Sequence, residues 1–270
     1  SATRELIFGV NVLGQYGIGP RYIDHKGYEQ VISLEPYDGL PGDNGLKNEA
    51  WIAEVVAGAW IDRRNNRLNP DSGWNASVNA GLAHEGLGGD FDFMQVTGGA
   101  TTYIPVVSGT YAVFGGRAGH SVPFGVTQGI PLDRRFFVGG GGSLRGYKEE
   151  SVGPLIAAPC PSGVTCDASV GGDLFGVYSA ELRYQLIRDV FEVVLFHDGG
   201  QAWLQRSSQP GAVVNPDRIF TSIGTGLRLR TPVGPLQLDY AFQTTAVPPV
   251  QSPADLLNSP GRFHITIGEF

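Results

Sequence analysis

Apolar and polar residues alternate with period two through most of this chain, which restricts it to strands that each carry one apolar face. From Leu6 to Val12, Leu6, Phe8, Val10 and Val12 share a face, with Gly9 and Asn11 opposite. Trp51, Ala53, Val55, Ala57, Ala59 and Ile61 do the same against Glu54, and Trp74, Ala76, Val78, Ala80 and Leu82 against Asn75, Ser77 and Asn79. Further on, Leu174, Tyr178, Ala180, Leu182 and Tyr184 oppose Ser179, Glu181, Arg183 and Gln185. Ile223, Leu227 and Leu229 oppose Arg228 and Arg230, and Leu236, Leu238, Tyr240 and Phe242 oppose Gln237 and Asp239. Helical stripes are nearly missing from the pattern.

Alternation alone does not say whether the apolar face meets a core or lipid. Segment length does. Several alternating segments run about 12 to 16 residues, beyond the ~5 to 6 usual for globular strands and enough for the ~9 to 11 tilted residues that cross a bilayer. Connections also alternate: Ile187 to Val190 and Thr231 to Pro235 are short, whereas Arg206 to Asp217 and Val247 to Gly261 are long and polar. Short turns on one side and long loops on the other describe an antiparallel transmembrane β-barrel. A mean hydropathy of −0.05 fits, because lipid-facing apolar and lumen-facing polar residues average near zero. No apolar run approaches the ~18 residues of a spanning helix. With a net charge of −7 and scattered Lys and Arg, no nucleic-acid partner is expected.

Eleven strands begin near Arg4, Tyr28, Asn48, Gly73, Phe91, Thr110, Gly172, Val190, Arg218, Gly234 and Arg262. Gly19 to His25 supplies a twelfth and restores even parity, so about twelve strands are expected, the alternative being part of a sixteen-stranded barrel. Residues 1–270 read as one barrel domain, with a loop over about 125–171. The start, SATRELIFGV, has neither the basic nor the apolar region of a signal peptide, so a mature, trimmed or cytosolic chain is expected. Cys160 and Cys166, the two cysteines, lie in a Pro/Gly-rich loop with no further ligand for zinc beside them, which favours a disulfide over free thiols.

The most informative segment is Asp133 to Pro154, DRRFFVGGGGSLRGYKEESVGP. Its Leu144, Arg145, Gly146 and Tyr147, after Gly139, Gly140, Gly141 and Gly142, resemble the V/L-R-G-F/Y tetrad in the sixth extracellular loop of the BamA/TamA superfamily of outer-membrane insertase and translocase barrels. Other marks of that family follow in order. Asp62 to Trp74 is similar to its D-R-x-N-x-x-x-P-x-x-G-W/Y turn, Glu181 to Arg183 to E-x-R, Phe196, Asp198 and Gly200 to F-x-D-x-G, and Thr231 to Pro235 to T-P-x-G-P. The likeness covers about the last 220 residues, and it implies a role in inserting or assembling outer-membrane proteins, or in moving proteins across that membrane. It also implies a bacterial outer-membrane location, lipid and lipopolysaccharide as surroundings, and unfolded barrel or secreted proteins as clients. A closed structural barrel or narrow passive pore is the competing reading. The periplasmic domains that precede the barrel in this family have no counterpart in these residues, and oligomeric state is left open.

A physical reading of the loop agrees with the resemblance. Four glycines let the backbone fold back along a wall, and an inward guanidinium requires carboxylates. The family places its loop arginine against two carboxylates on the next two strands, so Glu181 and Asp198, both on polar faces, are the expected partners of Arg145, and the loop is expected to brace the wall opposite the seam between first and last strands. At the C-terminus, Phe263, Ile265 and Ile267 are in phase with the family's terminal signal. Phe270 falls on the face of His264, Thr266 and Gly268, so either a bulge near Gly268 re-aims it or the signal is incomplete.

No enzyme is expected. His25, His84, His120, His197 and His264 have no metal-type spacing, no G-x-S-x-G elbow occurs, and His197 and Asp198 point to opposite faces of one strand. The glycine run is followed by no helix and no Lys-Ser/Thr pair, so it is not a phosphate loop. No cofactor is expected.

Overall fold

A computed structural model describes residues 2–6, 10–15, 21–24, 49–125, 127–159, 165–187, 190–205, 213–214, 217–231, 236–245 and 261–267. The strands are β1 (Ala2–Leu6), β2 (Val10–Gln15), β3 (Arg21–Asp24), β4 (Glu49–Ile52), β5 (Glu54–Asp62), β6 (Gly73–Ala83), β7 (Phe93–Val107) and β8 (Thr110–Pro123). Next come β9 (Leu155–Pro159), β10 (Thr165–Ser169), β11 (Leu174–Ile187), β12 (Phe191–Trp203), β13 (Val213–Val214), β14 (Phe220–Leu229), β15 (Leu236–Gln243) and β16 (Arg262–Ile267). The described helical residues form short 3-10 turns, Glu85–Leu87 and Leu132–Arg134.

One antiparallel sheet carries eleven of these strands in the order β1-β2-β5-β6-β7-β8-β11-β12-β14-β15-β16. The fold class is therefore all-β, as the alternation requires. β7 has 15 residues and β8 and β11 have 14 each, well beyond ordinary globular strands. Register follows the alternation: Ser179 faces Asp198 across β11 and β12, and Leu182 faces Leu195. The long segment between β8 and β11 lies on the concave face, reaching β5 through an Arg134–Glu54 ion pair of 2.9 Å and β16 through His264.

The two faces are opposite in kind to those of a water-soluble sandwich. Outward positions carry Leu182, Leu195, Ile223 and Phe242, all exposed, and Ile265 is 74% exposed. Inward positions carry Glu181, Asp198, Arg228 and Asp239, all buried. A continuous apolar exterior over a charged interior matches a sheet surrounded by lipid.

Turn chemistry closes the β5–β6 hairpin. Asn65 Oδ1 accepts from the N–H groups of Asp71 and Ser72 (3.2 Å each), and Asn66 Oδ1 from those of Leu68 and Asn69 (2.9 and 3.2 Å). Asp62 holds Arg64 at 2.9 Å.

The structure departs from the sequence reading in four places. Leu6 pairs with Val10, so Leu6 to Val12 is a reversal between β1 and β2 and not one strand. Leu6 and Val10 have the same parity, so alternation alone does not separate β1 from β2. The segment proposed as a twelfth strand is extended over Arg21–Asp24, but β3 pairs with β4 in a separate two-stranded sheet. The run from Trp51 to Ile61 is divided at the buried Ala53 into β4 and β5, which belong to different sheets. Within the long loop, β9 pairs antiparallel with β10, and β13 pairs with the other side of β9; strands this short leave little alternation in the sequence. The strand expected near Tyr28 lies outside the described residues.

If the outward face meets lipid, Leu195→Arg is expected to cost about 2–4 kcal/mol of folding stability in vesicles, the penalty for arginine near a bilayer midplane. Urea titration of folded protein in liposomes measures it. A cost below about 0.5 kcal/mol would mean that this face meets water.

Candidate functional site

The long loop is positioned before it reaches the site. Arg135, buried, donates to the carbonyls of Ile130 (3.0 Å) and Val170 (3.2 Å), tying the loop's entry to its exit. Phe136 bridges to Gly172, and its ring lies 4.5 Å from that of Phe175. Val138 then bridges to Val152. Of the four consecutive glycines, Gly139 (φ 122°) and Gly140 (φ 89°) adopt positive φ. Their reversal is fastened by Leu144 N–H to the Gly140 carbonyl (3.0 Å) and by Ser143 Oγ, which accepts from the Gly139 N–H (2.8 Å). Val138, Leu144, Tyr147 and Val152 pack together against Val177, Ala202 and Phe220 of the sheet. The tip is thus wedged onto the wall by apolar contact.

That wedge delivers Arg145 to the charged inner face. Its Nε and Nη2 donate to the two oxygens of Asp198, each at 2.7 Å, in the planar two-point geometry that guanidinium favours. Nη2 also reaches Glu181 Oε1 at 2.8 Å and Ser179 Oγ at 3.0 Å, and Nη1 reaches Asp239 Oδ2 at 3.0 Å. Arg228 pairs with Asp239 and lies 3.5 Å from Glu181, whose other oxygen accepts from Arg183 Nε at 2.7 Å. Three guanidinium groups and three carboxylates therefore compensate one another. Burial by itself would lower the Arg145 pKa, but the hydrogen bonds to Asp198 and the charges of Glu181, Asp198 and Asp239 hold it above its ordinary value. The Phe196 ring lies under the guanidinium, 3.5 Å from centroid to Cζ.

Gly146 and Tyr147 extend the contact toward the end of the sheet. Gly146 has φ 90°, and a Cβ there would lie 3.3 Å from both the Ala241 and the Ser222 Cβ, so glycine fits on both counts. Its N–H donates to His264 Nε2 on β16 (2.9 Å), and its carbonyl accepts from Gln243 Nε2 (2.9 Å). The Tyr147 hydroxyl lies against the carbonyls of Thr221 (2.8 Å) and Thr245, and its ring meets Phe220 edge-on. On the other side, Arg117 of β8 donates to the Gly142 carbonyl. Six consecutive residues, Gly142 to Tyr147, thereby touch β8, β11, β12, β14, β15 and β16.

Glu181 and Asp198 do meet Arg145, and Phe196 supports it from beneath. Gly200 follows on the same inward face of β12, where a Cβ would meet Val177 Cγ1 at 2.6 Å. Sequence reasoning missed Asp239, Ser179, Arg228, Arg183 and His264 as parts of the site. All lie on faces read as polar or opposite the lipid side, but which of them share a depth is a matter of register. The loop also does not confine itself to the wall opposite the seam: through His264 it is bonded to the last strand itself. Phe263 and Ile265 point outward, 70% and 74% exposed. The side chain of Ile267 and all of Phe270 lie outside the described residues, as do Cys160, the side chain of Cys166 and the turn residues 232–235.

Comparison with known proteins adds the following. A model of the Omp85 superfamily domain matches residues 17–270. The outer membrane protein assembly factor BamA of Neisseria meningitidis serogroup B is 25% identical over 232 residues, 77% of this chain and 28% of the relative. BamA of Nitratidesulfovibrio vulgaris is 26% identical over 186 residues, 68% of this chain and 21% of the relative. The chloroplastic outer envelope protein 80 of Arabidopsis thaliana is 31% identical over 137 residues, 49% and 14%. The chain therefore spans well under a third of these curated relatives. A crystal structure of BamA from Haemophilus ducreyi lacking POTRA domains 1–3 superposes with a TM-score of 0.63 at 20% identity, over 88% of this chain and 47% of that one, a likeness of fold.

Arg145→Ala would leave three buried carboxylates facing two guanidinium groups, and is expected to cost about 3–5 kcal/mol, the usual loss on breaking a buried pair. Ser179→Ala, which removes one hydrogen bond from the same cluster, is expected to cost about 1 kcal/mol. Heat-modifiable migration on gels and thermal melting in detergent check both. Equal melting of Arg145→Ala and the parent protein would show that the network contributes nothing.

Proposed function

The chain belongs to the Omp85 superfamily, an outer-membrane family, and from that premise we propose that this protein inserts or assembles outer-membrane β-barrel proteins, or moves proteins across the outer membrane. The clients in this reading are unfolded barrel or secreted chains, and the surrounding lipid and lipopolysaccharide are the medium against which it works. No catalytic chemistry enters the proposal. The activity lies in a strand edge and in the loop that steadies the sheet beside it.

The observation that carries this reading is the position of the loop tip. Gly146 is bonded to β16 on its inner face, and β16 is one end of the hydrogen-bonded strand order among the described residues. An end strand presents backbone donors and acceptors that a client strand can pair with by β-augmentation. Meanwhile Arg145 fixes β11, β12 and β15, so the wall next to that edge keeps its shape while the edge is occupied.

Liposomes containing the folded protein test the proposal. They are expected to fold an added, urea-unfolded barrel client at least several-fold faster than empty liposomes do, read by heat-modifiability over time. No acceleration, together with a small steady conductance in planar bilayers, would favour a closed structural barrel or passive pore and overturn it.

A further inference from the structure

Beside the loop tip, outside the Arg145 network, an open cleft of about 450 Å³ lies between Tyr147, Lys148 and Glu149 on one side and Arg262, Phe263 and His264 of β16 on the other. Arg262 has a buried Nε with no hydrogen-bond partner, and no carboxylate pairs with its guanidinium among the described residues. A buried unsatisfied donor is costly, and native structures rarely keep one without a reason. Lys148, exposed on the loop, supplies a second cation, with no ion pair among the described residues. The acid in the cleft, Glu149, has its carboxylate over Gly140, leaving two cations against one carboxylate. His264 is already engaged, accepting from the Gly146 N–H.

The apolar surroundings say what kind of anion fits. Phe263 and Ile265, on the outer face of the same strand as Arg262, are 70% and 74% exposed. A ligand held by Arg262 and Lys148 would therefore have its anionic group at the end of β16 where the strand begins, and an apolar body along the outer face of that strand. We propose that this cleft binds the phosphate of a phosphorylated lipid headgroup, with Arg262 and Lys148 as the phosphate-binding cations and Phe263 and Ile265 against its acyl chains. Guanidinium and ammonium groups are the usual pair for phosphate. The inference rests on the membrane location of the family, and stands whether or not the protein inserts clients.

Native mass spectrometry of the full chain in detergent micelles tests it, with diphosphoryl lipid A, the same lipid after dephosphorylation, and inorganic phosphate as separate probes. The folded protein is expected to retain diphosphoryl lipid A about tenfold better than the dephosphorylated form. Arg262→Gln and Lys148→Gln are each expected to reduce that preference at least fivefold, whereas Arg218→Gln, an exposed arginine beside Asp217, leaves it intact. Lys148→Gln changes an exposed loop residue, so it reports even if Arg262→Gln fails to fold. Equal retention of the two lipids, or no effect of Lys148→Gln, would overturn the site. Binding of inorganic phosphate without preference for the phosphorylated lipid would overturn the headgroup assignment.

Discussion

A guanidinium buried inside a sheet is tolerable only if charges of opposite sign are already waiting for it, and that condition organises this protein. The effective cost of desolvating one such ion is several kcal/mol. Asp198, Glu181 and Asp239 meet the requirement for Arg145, but three buried carboxylates around one guanidinium leave an excess of negative charge. Arg183 and Arg228 complete the balance. The cluster draws on β11, β12, β14 and β15, so it fixes register across all four. A slip of one residue in any of them would turn its charged member out toward lipid and bring an apolar residue into the cluster.

The apolar contacts of the loop and its charged contacts reinforce each other. Val138, Leu144, Tyr147 and Val152 exclude water from the neighbourhood of Arg145, which strengthens each ion pair and equally raises the penalty for leaving one unmade. Phe196 has room beneath the guanidinium because its neighbour across the sheet is Gly224, where a Cβ would meet the ring at 2.3 Å. A side chain at position 224 would lift the ring and with it the floor of the site.

Much of this was legible in the amino-acid order. Period-two alternation gives both faces of β6, β11, β14 and β15, because lipid and lumen impose opposite polarity on neighbouring residues. The tetrad around Arg145 and the acids at Glu181 and Asp198 were also readable, since a buried cation implies acidic partners. Asp239 was placed on the correct face and still overlooked. Face follows from parity, whereas depth follows from register, and the register of β15 against β14 is set by a turn whose sequence does not number the pairs. The partnership of His264 with the loop is hidden from the sequence for the same reason. The β1–β2 reversal escaped because Leu6 and Val10 have the parity of one continuous strand, and only Gly9 hints at a turn there.

The strength of the loop's grip changes sharply between the last two strands. β15 is held through Asp239 by two guanidinium groups inside the low-dielectric cluster, besides its ladder of bonds to β14. Among the described residues β16 has its ladder to β15 and a hydrogen bond from Gly146 to His264, a contact of about 1 kcal/mol. A force or a competing strand acting on the end of the sheet would therefore separate β16 from the loop long before it drew β15 away from Arg145. Because interactions with charged groups are the stronger ones and are here fully buried, the boundary between a fixed wall and an adjustable edge falls between β15 and β16. It is drawn by where the carboxylates stop: among the described residues Asp239 is the last inward-facing acid before the edge, and the position opposite it on β16 is a histidine.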